Sequence, residues 1–309
     1  MSTIEVRNLT RRFGSFVAVN DISFNVLDSE IFGYLGANGA GKSTTIRMLC
    51  GLLVPSSGTI NVATVDVTRY PERAKRVIGY MSQKFSLYPD LQVIENLQFF
   101  SGMYGIGGGS FHRRAEEVLE TMDLTNHRHA LTSSLPDGVK QRVALACAIM
   151  HKPKILFLDE PTAGVSPTVR QDFWRLIRSM SSEGTTILVT THYMDEAEYC
   201  DRIALMVNGR IAALDTPASL KQKTTGNTML EIRFQNQQTR LRVEALPGVL
   251  STELLGTTLR LRVNQRYEVD DVVRAAVKLG IDRADIEEAD PTLEDVFVEV
   301  VGMAGRASQ

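Results

Sequence analysis

The apolar residues of the first 220 positions fall into short unbroken runs separated by longer amphipathic stretches. Residues 31–35, 155–158 and 186–190 are such runs, with no polar alternation inside them. Runs of that kind suit parallel strands buried on both faces. Ile4, Val6 and Leu9, then Phe24 and Val26, predict strands before residue 31, and residues 77–81 predict another. Residues 44–53 have helical spacing and are expected to stop near the turn cluster Pro55-Ser56-Ser57-Gly58. From Tyr88 to about Met150 the pattern is mostly helical, interrupted by a loop at residues 105–110.

Polar residues 222–227 mark a change of pattern. Beyond them Leu230, Ile232 and Phe234 alternate with polar neighbours, as do Leu259, Leu261 and Val263. That alternation predicts antiparallel strands, and Val269, Val272, Val273, Ala276 and Val277 form a helical stripe. The expected architecture is an α/β domain over residues 1–222 with a parallel core sheet and a helical subdomain at about 84–150. A small α+β domain over residues 223–309 follows. No sequence repeat relates the two parts.

Bulk properties narrow the function classes. The 309 residues are 43% hydrophobic and 23% charged, and 34 basic against 36 acidic residues leave a formal charge of −2. A nucleic-acid binder usually carries a basic excess, so no nucleic-acid partner is expected. Cys50, Cys147 and Cys200 are widely spaced among apolar residues and match neither a disulfide framework nor a metal site, so they read as buried thiols. The amino terminus shows no secretory pattern, and no apolar run approaches the ~18–20 residues that span a bilayer. Work at a membrane would require a partner.

The strongest chemical signal is Gly36-Ala37-Asn38-Gly39-Ala40-Gly41-Lys42-Ser43, a G-x-x-x-x-G-K-[ST] match set between a predicted strand and a predicted helix. Backbone N–H groups and a helix amino terminus can wrap phosphates there, and the glycines permit the close approach. ATP with Mg²⁺ is the expected ligand. Lys42 would reach the β- and γ-phosphates, Ser43 would ligate Mg²⁺, and Thr44 would donate to the α-phosphate. Asp159-Glu160 closes a buried strand 117 residues after Lys42. Asp159 suits Mg²⁺ through its water shell, and Glu160 suits a general base for the attacking water. A solvated turn would also account for two adjacent carboxylates.

With these motifs, residues 1 to about 220 resemble the nucleotide-binding subunit of an ATP-binding cassette (ABC) transporter, a P-loop NTPase. The resemblance implies further site residues. Phe13 matches the family's adenine-stacking aromatic, although by itself it reads as a core residue. Gln83 matches the glutamine that senses Mg²⁺ and the attacking water. His192, 33 residues after Asp159, matches the histidine that contacts the γ-phosphate. The closing segment Pro291-Thr292-Leu293-Glu294-Asp295-Val296-Phe297 is similar to that of multidrug and drug-resistance exporter ATPases with ABC-2-type permeases. Such a protein would be an ATPase in a nucleotide-sandwich dimer, held by an integral-membrane permease at the cytoplasmic face of the membrane. The permease's coupling helix would meet the region from Gln83 to about Met103, where Phe85, Leu87, Tyr88, Leu91, Phe99 and Phe100 supply apolar surface or core.

One motif departs from the family. Its Leu-Ser-Gly-Gly signature, which holds the opposite subunit's γ-phosphate, is here Leu135-Pro136-Asp137-Gly138. Pro136 removes a hydroxyl and an N–H donor. Asp137 sets a carboxylate where phosphate approaches, a repulsion of about 1 kcal/mol at ~4 Å in water and more in a drier interface. Asp137 is also expected to cap the following helix. Ser166 stands where the family usually has aspartate. A homodimer would turn over slowly at both sites, whereas a heterodimer would pair this chain's Lys42, Glu160 and His192 with a partner's intact signature. The resemblance favours the heterodimer or a fused partner. Two alternatives are a soluble ABC ATPase acting on ribosomes or DNA and a nucleotide-dependent binding subunit that barely hydrolyses. A single cassette without a heptad run speaks against the first, and Glu160 with His192 speaks against the second.

Overall fold

The structure is a computed structural model that describes residues 2–83, 86–223, 227–234, 237–264 and 269–306. The chain separates into two compact units, Met1–Pro217 and Ala218–Gln309. Residues 224–226 of the predicted boundary stretch, and Phe85, lie outside the described residues.

The first unit opens with β1 (Ser2–Phe13) and β2 (Phe16–Leu27), then β3 (Ile31–Leu35) and α1 (Lys42–Leu49). Next come β4 (Ser57–Val62), β5 (Val65–Asp66), α2 (Pro71–Lys75) and β6 (Ile78–Met81). Helices α3 (Val93–Met103), α4 (Gly108–Thr121) and α5 (Asp137–Ile149) follow. The unit closes with β7 (Ile155–Asp159), α6 (Pro167–Ser182), β8 (Thr186–Thr191), α7 (Met194–Ala197), β9 (Arg202–Val207) and β10 (Arg210–Asp215).

Two sheets result. One is antiparallel in the order β2-β1-β4-β5, and the other runs β10-β9-β3-β8-β7-β6. In the second sheet β9, β3, β8, β7 and β6 are mutually parallel, and only β10 reverses. Every residue of β3, β7 and β8 is buried, as their unbroken apolar runs require. One hydrophobic cluster joins Ile4, Val6 and Leu9 of the antiparallel sheet, Phe32, Phe157 and Leu188 of the parallel one, and Ile46, Met48 and Leu49 of α1. Close packing leaves no slack behind β6, where a Cβ on Gly79 would lie 2.5 Å from the Ala148 carbonyl oxygen. Gly79→Ala is therefore expected to cost about 1–3 kcal/mol, read as a lowered thermal midpoint.

Two local expectations are corrected. The first helix ends at Leu49 rather than Leu53. Gly51 takes φ +66°, and the N–H groups of Leu52 and Gly51 donate to Arg47 O (2.9 Å) and Met48 O (3.0 Å), a Schellman stop. The glycine-rich interruption is also shorter than predicted, because Gly108, Gly109 and Ser110 form the first turn of α4.

Helix α8 (Pro217–Lys223) begins at the division, and the second unit continues with β11 (Asn227–Arg233), α9 (Gln237–Glu244), β12 (Val249–Leu255), β13 (Thr258–Asn264), α10 (Val269–Lys278), β14 (Ile286–Ala289) and α11 (Leu293–Arg306). Its sheet is antiparallel in the order β12-β13-β11-β14. Leu259, Leu261 and Val263 pack with Leu230, Ile232, Val272, Val273 and Ala276 in a separate core. Val277, expected in the helical stripe, faces outward instead. The alternate residues of β13 face α11: Arg260 donates to Asp295 Oδ2 at 3.1 Å and Arg262 to Asp295 O at 2.8 Å. Thr292 and Asp295 form a reciprocal cap at the start of α11, with Thr292 N–H donating to Asp295 Oδ2 (2.8 Å) and Asp295 N–H to Thr292 Oγ1 (3.3 Å). The Pro291–Phe297 motif thus acts as a helix start clamped to buried arginines.

Candidate nucleotide-binding site

The site is assembled at the carboxyl ends of adjacent parallel strands. Gly36 follows β3, Gln83 lies two residues beyond β6, Glu160 follows β7 and His192 follows β8. Since β3, β8, β7 and β6 are neighbours in one direction, their ends open on one edge of the sheet, where such sheets place ligands.

The glycine-rich loop has the backbone its motif requires. Gly39 takes φ +80° and Gly41 φ +111°, a region L side chains rarely enter, and a Cβ on Gly41 would lie 2.5 Å from Ala18 O. Ala37, Asn38 and Gly39 are exposed at the tip. Lys42 begins α1 and is only 4% exposed, its ammonium donating to Gly36 O at 2.7 Å and Ala37 O at 3.2 Å. Ser43 and Thr44 follow on the first turn, both half-buried.

Around the loop the predicted residues converge. Ser43 Oγ donates to Asp159 Oδ1 at 3.0 Å. Glu160, 8% exposed, lies 3.5 Å from Lys42 Nζ and 3.3 Å from His192 Nδ1, and it accepts from Gln83 Nε2 at 3.0 Å. Its backbone sits at φ +50°, a left-handed conformation that costs a non-glycine residue on the order of 1 kcal/mol. The Glu160 N–H holds that turn by donating to Thr190 O (3.1 Å) and Thr190 Oγ1 (3.0 Å).

Thr190 is the residue the sequence reading missed. Its hydroxyl donates to Asp159 Oδ1 at 2.7 Å, so it orients both carboxylate residues. The available signal was a threonine at the end of a buried apolar strand, and the register pairs it directly with Asp159. A second missed group is an acid on α7. Glu196 is fully buried, hydrogen-bonded to the Thr162 hydroxyl and 3.2 Å from Arg170 Nε, and burial pushes its carboxyl up.

One expectation comes out differently, that of the Asp137 cap, and the alternatives left open for Phe13, Tyr88 and Phe99 are narrowed. Phe13 is 46% exposed at the tip of the β1–β2 hairpin, with the Arg11 guanidinium 4.5 Å from its ring centroid, so it is not a core residue. Asp137 does not cap α5. Pro136 holds the cap position without a side-chain bond, and Asp137, one residue inside, turns its exposed carboxylate to Lys140 Nζ at 3.4 Å. Gly138 is confined by α6, since a Cβ there would meet Val169 Cγ1 at 2.8 Å. Ser166 precedes Pro167 at the start of α6 and makes no side-chain cap. Tyr88 and Phe99 are exposed and in edge contact at 4.6 Å, so they form surface and not core.

Comparison with known proteins agrees with this geometry. The family model described as ABC transporter matches residues 19–163, which span the loop, Gln83 and the Asp159-Glu160 pair. The probable multidrug ABC transporter ATP-binding protein YbhF of Escherichia coli is 50% identical over 73% of this chain, which spans only 39% of that protein's length. Nod factor export ATP-binding protein I of Burkholderia lata is 37% identical over 98% of both chains. Among solved structures, a dimeric bacterial ABC transporter cassette superposes with a TM-score of 0.64 at 25% identity, covering 69% of this chain and 98% of its own. A phosphate-type loop joined to strand-end carboxylates, in a chain that matches a 37%-identical relative from end to end, places this protein in the ABC transporter ATP-binding family.

Proposed function

We propose that the chain binds and hydrolyses ATP to power an ABC-2-type membrane exporter, working in a nucleotide-sandwich dimer. The observation that carries this reading is Glu160, whose carboxylate lies within 3.5 Å of Lys42, Gln83 and His192 at the phosphate loop. Lys42 would exchange the Gly36 and Ala37 carbonyls for the β- and γ-phosphates as the loop N–H groups close on them. Glu160 would take the proton of the attacking water, Gln83 would orient that water, and His192 would contact the γ-phosphate. Phe13, exposed on the hairpin, would stack on adenine.

The hydroxyl of Ser43 and the carboxylate of Asp159, already 3.0 Å apart, are hard oxygen donors that fit Mg²⁺. The ion, when bound, supplies neutralisation of phosphate charge. Gln83, whose amide donates to Glu160 at 3.0 Å, would add its side-chain oxygen to this donor group.

An apolar cleft of about 340 Å³, lined in part by Leu52, Tyr80, Met81, Leu87, Phe100 and Met103, supports a permease helix as partner. The chain would then sit peripherally at the cytoplasmic face. The names of the relatives, multidrug and Nod factor export, support outward transport, and the dimeric cassette supports the sandwich. Co-purification from membranes tests the reading: a permease should accompany the chain and raise its ATPase activity. Recovery of ribosomal proteins in place of a permease would sink it.

Pro136 and Asp137 support a second arrangement, in which this chain's signature faces a weak site on a different cassette, and that cassette's intact signature completes the strong site on this chain's Lys42, Glu160 and His192. In a homodimer, Pro136→Ser with Asp137→Gly should raise hydrolysis about tenfold or more, the equivalent of one restored charge-assisted contact. Steady-state phosphate release measures it, and no increase would favour the unequal pair.

A further inference from the structure

We propose that β12 is a dimerisation edge through which the carboxyl-terminal units of two copies of this chain pair antiparallel, about a two-fold axis at Thr252, without nucleotide. Among the described residues β12 pairs only with β13, and every residue from Leu250 to Leu255 is exposed. An edge strand leaves a row of backbone N–H and C=O groups that template another strand. The two edges of this sheet are unlike. β14 is four residues long and carries Glu287 and Glu288, the usual defences of an edge. β12 is seven residues long, has Glu253 as its one charge, and leaves Leu250, Leu254 and Leu255 about half exposed. Leu241 of the neighbouring α9 is equally exposed.

The strand's own sequence argues for a second copy as the occupant. With the axis at Thr252, Leu250 faces Leu254 of the partner subunit, twice by symmetry. Ser251 then faces the partner's Glu253, a hydroxyl against a carboxylate, and Thr252 faces the partner's Thr252. Apolar and Thr–Thr cross-strand pairs stabilise such ladders. Neighbouring registers are poorer. Opposed side chains of an antiparallel two-fold pair share a face, so the axis moves only by whole residues, and at Ser251 it sets Leu250 against Thr252 and Val249 against Glu253. An axis at Glu253 places two carboxylates opposite each other, which like-charge repulsion disfavours. A strand that complements itself in one register meets the requirement of an isologous two-fold interface. The register shift between β12 and β13 falls between Val249 and Ser251, so Leu250 is the extra residue of that ladder and 251–255 pair regularly with β13. The contact would keep two copies tethered through nucleotide release and raise their effective concentration for reclosure.

Light scattering on the full chain without nucleotide tests the proposal. The expected result is a dimer, with Leu250→Lys or Leu254→Glu each weakening it at least about tenfold, or about 1.4 kcal/mol. Because 250 and 254 meet across the axis, the double variant should recover most of the dimer by pairing lysine with glutamate. Retained ATP binding shows that each variant is folded. Thr252→Cys should give a disulfide-linked dimer on mild oxidation, whereas cysteine at Glu287 on the other edge should not. A monomer at ~100 µM, a dimer indifferent to both single changes, no recovery in the double variant, or no cross-link at 252 would each overturn the assignment.

Discussion

Glu160→Gln should lower steady-state ATP hydrolysis by about 10²–10⁴-fold, the usual contribution of a positioned general base, and leave ATP binding intact. The amide keeps the size of the side chain and can still meet Gln83 and Lys42, so the loop and its phosphate donors are undisturbed. What it loses is the ability to take a proton from water. Trapped in the ATP state, the variant should accumulate as the closed dimer in Mg²⁺-ATP. Phosphate release and size-exclusion chromatography with nucleotide measure the two effects. Hydrolysis at the parental rate would remove Glu160 as the base, and loss of binding would make it a structural residue instead.

Lys42→Met should act at the opposite end of the same pair. Its ammonium is buried against Gly36 O, Ala37 O and the Glu160 carboxylate. Removing a desolvated cation from a phosphate site costs about 2–4 kcal/mol of binding, or roughly 30- to 1,000-fold in Kd. A second effect appears without nucleotide, since breaking a buried ion pair strands the other charge at a cost of about 3 kcal/mol. For a unit of this size that is a fall of roughly 6–12 °C in the thermal midpoint. Combining Lys42→Met with Glu160→Gln should be less destabilising than the sum of the two, because the stranded carboxylate is gone. Calorimetry of the four proteins checks this, and strict additivity would show that the two side chains do not interact.

Much of the fold was legible because parallel strands buried on both faces must be apolar throughout, as β3, β7 and β8 are. The antiparallel tail was legible by alternation, down to Leu259, Leu261 and Val263 on one face of β13. Illegible features depended on packing partners. Val277 has the apolar character of its stripe but lies outside the arc that the sheet covers. The fate of Asp137 turned on Pro136, which takes the cap position and leaves the carboxylate one residue too far in, beside Lys140.

The chain's own sequence determined the phosphate loop. Its glycines, Lys42 and Ser43 are contiguous, and a backbone that needs left-handed residues at fixed offsets is a local property. Tertiary structure decided the rest of the site. Gln83, Asp159, Glu160, Thr190 and His192 are scattered over more than a third of the chain, and although motif and resemblance single out all but Thr190, nothing in their immediate neighbours says that they meet. They meet because β6, β7, β8 and β3 run side by side in one direction. A parallel sheet carries the end of every strand to the same edge, and only strand order settles which ends are neighbours.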